Sequence, residues 1–266
     1  MKQQRIIDMH AHIFPEKIVQ KAVQSICNFY QTPMQGIGTT KDLLEKSKEN
    51  KIERILVHST ATKADQVESI NRYIISEINE NKEFIGFGTL HPEYEDIEGA
   101  VSQIEKAGLQ GVKLHPDFQR FNMDDSIADK MYEVCSGRLP ILFHVGDYRQ
   151  DFSSPERLAN VMKKYPDLKV IAAHFGGWSV WERSIKALEP SENLYFDTSS
   201  SLSSIDRDII FGFFEKYGVD KFFFGTDYPM WNISQEIEKI HKLGLSKEEE
   251  DCIFYKNAEK FLGLVT

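Results

Sequence analysis

Apolar residues gather in eight short runs, at 5–12, 54–59, 84–90, 111–115, 141–145, 170–174, 194–198 and 222–226. Runs of this length, almost continuously apolar and rich in Val, Ile, Leu and Phe, predict strands buried on both faces, as in a parallel sheet. Between them, apolar residues recur at helical spacing. Val67, Ile70, Ile74 and Ile78 mark a helix over 66–81, and similar patterns predict helices over 97–107, 125–136, 155–164, 203–217 and 234–243. Ser203-x-x-Asp206 reads as a capped start. Ser246-x-x-Glu249 reads as a capping box, which accounts for the acidic run 248–251 as a first helical turn. Eight β/α repeats without an evident break predict an α/β fold, a (β/α)8 TIM barrel forming one domain over 1–266. A doubly wound open sheet is the alternative, but no Gly-x-Gly-x-x-Gly follows any run. One long insertion, 13–50, follows the first strand; it should hold a helix near 16–30, a loop at Gly36-Ile37-Gly38 and a second helix from Thr40. An insertion there sits on the catalytic face of a barrel, as a lid or as surface decoration.

Composition narrows the class. With 266 residues, 41% hydrophobic and 27% charged, the chain suits a globular domain with a sizeable core. A net charge of −9, with no Lys/Arg block, argues against nucleic acid as a partner. Cys27, Cys135 and Cys252 stand alone and form no Cys-x-x-Cys pair, so a reducing cytoplasm is expected. The opening Met-Lys-Gln-Gln-Arg runs directly into the first strand, and no membrane-length apolar run occurs, so no membrane association is expected.

Candidate chemistry concentrates at strand ends. Strand alternation puts Asp8, His10 and His12 on one face and Ile7 and Met9 on the other. Two imidazoles two residues apart on one face can close on a metal ion; the plainer alternative is a hydrogen-bonded structural couple. Of eight histidines, seven lie at or just after a predicted strand end: His10, His12, His58, His91, His115, His144 and His174, with His241 on a helix. In a parallel barrel those ends share one rim. His10, His12, His144 and Asp227 would supply three imidazoles and a carboxylate, a set suited to one zinc ion with room for a water; manganese, iron and cobalt also fit. A metal-bound water can have a pKa near 7, Asp227 could take its proton, and His174 could polarise a substrate oxygen. Lys113 and His115, both inward by alternation, are candidates for touching substrate. Arg149 is either a carboxylate clamp or an exposed arginine. Phe14, Trp178 and Trp231 either wall a pocket or pack loops. His58 and His91 read as supports, Asp8 as an orienting carboxylate, and the serines of 199–204 as a loop and helix cap.

Asp8-x-His10-x-His12, His144-Val-Gly, His174-Phe-Gly-Gly and Gly225-Thr-Asp227-Tyr-Pro, in that order, resemble the amidohydrolase superfamily, and within it the amidohydrolase-2 branch. That branch includes 2-amino-3-carboxymuconate semialdehyde decarboxylase, resorcylate-type decarboxylases and various hydrolases. The resemblance runs through the whole chain to Asn257-Ala-x-x-Phe-Leu-Gly263. It implies a metal held by His10, His12, His144 and Asp227, with His174 catalytic. Binuclear members of the wider superfamily carry a carboxylated lysine at the fourth strand's end; Lys113 is then either a carbamate bridging two metals or a charged donor. The function expected first is hydrolysis of a small amide, ester or lactone through a metal-bound water. The alternative is non-oxidative decarboxylation of an aromatic or unsaturated acid. A TatD-like deoxyribonuclease also opens with His-x-His, but the fourth strand lacks its carboxylate ligand and the negative charge disfavours DNA. A catalytically silent binding barrel is the remaining class. The expected partner is a small molecule such as a carboxylic acid; a homodimer is left open.

Overall fold

The computed structural model describes residues 4–264. Its strands are β1 (Ile7–His12), β2 (Arg54–His58), β3 (Phe84–Gly86), β4 (Gly88–Thr89), β5 (Val112–Leu114), β6 (Ile141–Phe143), β7 (Val170–Ala172), β8 (Leu194–Asp197) and β9 (Phe222–Phe223). All pair in parallel with their neighbours, as β1-β2-β3 and β4 through β9. The predicted third strand is one stave in two halves. At its break Phe87 N–H donates back to Val57 O (3.0 Å), and Gly88 N–H donates forward to Gly111 O (2.9 Å). The ends also meet: Met9 N–H donates to Phe224 O (2.8 Å), Asp227 N–H to His10 O (2.8 Å) and His12 N–H to Tyr228 O (2.7 Å). Eight staves therefore close into a barrel, and the open-sheet alternative is ruled out.

Around the barrel run α1 (Val19–Tyr30), α2 (Thr40–Glu49), α3 (Val67–Glu80), α4 (Ile97–Lys106), α5 (Pro116–Gln119), α6 (Asp129–Cys135), α7 (Pro155–Lys164), α8 (Trp181–Ala187), α9 (Arg207–Tyr217), α10 (Ile233–Lys242), α11 (Lys247–Asp251) and α12 (Asn257–Leu262). The insertion holds its two expected helices, α1 and α2. Ser246 and Glu249 form the reciprocal capping box at α11. The helix expected over 203–217 starts only at Arg207; Asp206 has the extended backbone of an N-cap, but its side chain makes no capping bond. Helix α8 has no counterpart in the sequence reading, because its seven residues bury only Ser184 and show no apolar period.

The core has two layers. Outward strand residues such as Val57, Val112, Leu114, Ile141, Phe143 and Val170 pack under the helices. Inward ones, Ile7, Met9, Leu56, Phe87, Leu142, Ile171, Ala173 and Phe223, fill the lower barrel, with Ala258 and Phe261 closing it below. Each fully buried Val, Leu, Ile, Met or Phe among them contributes about 1.5–3 kcal/mol through burial. With the bottom filled, polar chemistry is confined to the rim.

β1 corrects one expectation. Its register shifts between Asp8 and Ala11, so that three steps of β1 span two of β2. The bulge breaks the alternation. Ile7 and Met9 face the barrel interior, Ala11 and Ile13 join the outer layer, and His10 and His12 turn inward above Met9. Asp8 is thereby separated from the histidines. It accepts from Thr226 Oγ1 (2.6 Å), Thr226 N–H and His10 N–H (both 3.0 Å), latching β1 to the strand end that carries Asp227. Burial pushes its carboxyl up to about 7.

Candidate active site

His10 is fully buried, and its Nδ1 lies 2.8 Å from Asp197 Oδ2. Asp197 ends β8 and is held by His174 N–H and Ser199 N–H, each 3.0 Å from Oδ1. Burial works against its charge, but His10 beside it and the bond between them keep the carboxyl below the usual range. A charged carboxylate can only accept, so His10 carries its proton on Nδ1 and a lone pair on Nε2. That Nε2 has no hydrogen-bond partner and lies 3.4 Å from Asp227 Oδ1; His12 Nε2 lies 3.3 Å from the same oxygen. Burial likewise lowers the pKa of His10 to about 4, and lowers those of His12, His144 and His174. All four imidazoles are therefore neutral at physiological pH. Burial opposes the charge on Asp227 as well, yet the bond from His12 Nε2 holds it below the carboxylate range. Its other oxygen accepts from Ser200 Oγ (2.5 Å), which in turn accepts from Trp231 Nε1 (2.7 Å).

His144 and His174 form a couple. His144 Nε2 lies 3.0 Å from Gly146 O, which can only accept, so Nε2 carries the proton. Its Nδ1 then carries a lone pair, which faces His174 Nε2 at 3.0 Å. His174 Nδ1 lies 3.1 Å from Ser199 O, which can only accept, so the proton of that ring sits on Nδ1 and its Nε2 is bare as well. The Ser199 hydroxyl sits 2.8 Å from His174 Nδ1, 3.2 Å from His10 Nδ1 and 2.5 Å from Asp197 Oδ1, tying both imidazoles to one carboxylate. The motif glycines make room for this. A Cβ on Gly146, at φ +84°, would come 2.7 Å from Gly177 backbone, and one on Gly225 would come 3.0 Å from His10 Cβ. His174 and Asp227 themselves hold left-handed backbone, φ 61° and 55°, a conformation costing about 1–3 kcal/mol that turns both side chains onto the rim. Ala173 already faces inward; without that turn, alternation would send His174 outward.

One cavity brings these groups together. His10, His12, Lys113, His115, His144, His174 and Asp227 form its polar wall, and Ile26, Tyr30, Met34, Phe118 and Met230 its apolar cover. Its open space is about 20 Å³, enough for about one water. A larger ligand therefore requires the cover to move. Lys113 is fully buried and its Nζ has no partner; burial pulls its pKa down to about 8, against Asp227 and Asp197. His115 caps α5 by accepting from Phe118 N–H (3.4 Å), so its Nε2–H donates to Tyr30 Oη (2.9 Å). Its ring also stacks on His144 at 3.9 Å.

Several candidates take other roles. Arg149 is no free clamp: it pairs through two nitrogens with Asp147 (2.9 and 2.6 Å), and its Nη1 donates to Phe29 O (2.6 Å), tying down the end of α1. Phe14 stacks over His12 at 6.3 Å without lining the cavity, and Trp178 packs edge-on against Tyr30 at 5.1 Å. Trp231 reaches the site through Ser200. The serines read as loop and cap, Ser199 and Ser200, contact the central groups directly. Asp197, Asp117 and Tyr30 went unnoticed in the sequence. The one available signal was an aspartate ending the otherwise apolar run Leu194-Tyr-Phe-Asp197.

Ligand atoms of His10, His12 and His58, of His10, His174 and Asp197, and of His115, Asp117 and His144 each fall within 4.8 Å of one another, so His and Asp groups able to hold a metal ion are present. The fit at His10 is specific. A lone pair facing a carboxylate oxygen at 3.4 Å, with no proton between, is repulsive until a cation stands there. Leaving such a nitrogen unsatisfied costs about 1–3 kcal/mol.

The amidohydrolase family profile of the amidohydrolase-2 type matches residues 7–264. Similar solved structures include a dihydroxybenzoic acid decarboxylase from Polaromonas sp. JS666 with bound manganese and the inhibitor 2-nitroresorcinol (16% identity, 98% of each chain, TM-score 0.75). A 5-carboxyvanillate decarboxylase from Sphingomonas paucimobilis aligns over 98% of this chain and 99% of its own (16% identity, TM-score 0.73). A probable 2-pyrone-4,6-dicarboxylic acid hydrolase from Acinetobacter baumannii with citric acid bound aligns over 97% and 99% (15% identity, TM-score 0.71). No curated protein matches in sequence. At these identities the structures establish a shared fold. Since the family profile spans nearly every residue and the fold is shared from end to end, the chain belongs to the amidohydrolase-2 family of enzymes.

Proposed function

We propose that this protein is a metal-dependent hydrolase of a small amide, ester or lactone, with zinc as the resident ion and manganese as the alternative. The observation that carries the reading is the lone pair of His10, fixed by Asp197 and facing Asp227 with no proton between them. His10, His12 and Asp227 would hold the ion. His144 can join through the lone pair on its Nδ1. When bound, the ion supplies Lewis acidity and an activated water.

The chain's own groups divide the remaining work. Asp227, anionic and fixed by Ser200, takes a proton from the attacking water at Oδ1 and returns it to the leaving group. His174 Nε2 lies on the cavity wall and, once protonated, would donate to the substrate oxygen on which charge develops. Tyr30, Ile26 and Met34 exclude bulk water once the substrate is seated. Lys113 is the cation available to a substrate carboxylate, which suits small carboxylic acids. The three free cysteines support a reducing compartment such as the cytoplasm.

Decarboxylation of a hydroxylated aromatic acid is the second reading, favoured by the manganese-bound decarboxylase among the similar structures. Zinc- or manganese-loaded protein assayed against carboxylated lactones, esters and amides and against dihydroxybenzoates separates the two. Hydrolysis is expected, with His174→Ala lowering kcat by about 10²–10⁴-fold. Carbon dioxide release from the benzoates, with no ester, amide or lactone cleaved, would replace the first reading by the second.

A further inference from the structure

His58 ends β2, and the parallel register sets its Cα against that of His12. Its ring lies edge-on to His12 (centroids 4.4 Å, 84°) and to His10 (4.9 Å, 69°). The side chain is fully buried, yet neither Nδ1 nor Nε2 has a hydrogen-bond partner. One of its nitrogens lies within 4.8 Å of ligand-capable nitrogens on both His10 and His12. A buried imidazole with both a lone pair and an N–H unanswered is unusual in a folded protein, and an ion accepting the lone pair resolves half of it. His144, by contrast, has its Nε2–H answered by Gly146 O.

We infer that His58 is a ligand of the metal site, joining His10 and His12 through a ring nitrogen. The inference rests on the reading that the protein binds a divalent ion at His10. It gives the ion three imidazoles from β1 and β2. Three neutral imidazoles favour a borderline ion such as zinc over a hard one such as magnesium.

The test uses full-length protein stripped of metal: wild type, His58→Phe, which keeps the volume, and His58→Gln, which guards against misfolding of the first. Zinc affinity is read by competition with a chromophoric chelator, and the Co²⁺ visible spectrum reports the donor set. Loss of more than about a hundredfold in zinc affinity, beyond what a merely supporting neighbour produces, with altered Co²⁺ bands, is the expected result. Wild-type affinity and an unchanged Co²⁺ spectrum in a folded variant would overturn the assignment while leaving the metal reading intact. Failure of the wild type to take up either ion would remove the metal reading, and this inference with it.

Discussion

Asp197 decides which nitrogen of His10 is free, so the smallest change that tests the site is Asp197→Asn. An asparagine would present its amide N–H to His10 Nδ1 while its oxygen keeps the His174 and Ser199 amides. The imidazole proton must then move to Nε2, where it faces Asp227 and shuts out the ion. Zinc affinity is expected to fall about 10–100-fold by competition titration; an unchanged value would mean that His10 does not bind through Nε2. At this scale the sequence was legible where chemistry sits on a regular strand. His10, His12, His115 and His144 were found by strand-end position alone and all line the cavity. Asp197, Ser199 and Ser200 were not legible, because one aspartate and a run of serines after a strand read equally well as a cap. Nor does any side-chain pattern announce the left-handed backbone at His174 and Asp227, or the bulge that removes Asp8 from their company.

Among the elements, α1 controls access. It is held over the cavity by Tyr30 Oη on His115 and by the Arg149 bond to Phe29 O. Arg149→Met should free the end of this helix. Amide hydrogen exchange across 19–34 is expected to quicken by about tenfold or more while the barrel strands stay protected; no change would assign the cover to packing alone. The insertion was visible in the sequence as a long gap between strands. Which of its side chains reach the site was not, since that depends on the angle at which α1 crosses the rim. Helix α10 allows a pH test at a buried carboxyl that also feels the charge of Asp227. Burial pushes the Glu236 carboxyl up, against the pull of Lys239, and one of its oxygens has no partner. The folded chain thus holds that proton more tightly than the unfolded chain. Its contribution is fully present at low pH and is lost as pH rises through the folded value. Glu236→Gln cannot titrate, so its melting temperature should gain on wild type as pH rises above the ordinary value of 4.5. A difference that stays constant across that range would show that burial of this carboxyl is not felt.

For the whole molecule, the eightfold alternation of apolar runs and amphipathic stretches was enough to predict the barrel. Strands with both faces buried leave few other arrangements. Closure depends on backbone bonds from Met9, His12 and Asp227 that no composition reveals, and the split of one stave at Phe87 depends on two competing neighbours. The consequence of closure is functional. The lower barrel is filled and sealed, so residues from β1, β2, β5, β6 and the turns after β7 and β9 converge on the one face where an ion can be held. Metal content per chain, measured by inductively coupled plasma mass spectrometry on protein purified without added metal or chelator, therefore decides whether that face holds an ion. About one equivalent of zinc or manganese is expected in the wild type, with far less in Asp227→Ala. No bound metal, and none taken up when zinc or manganese is added, would mean that His10, His12 and Asp227 do not form a metal site.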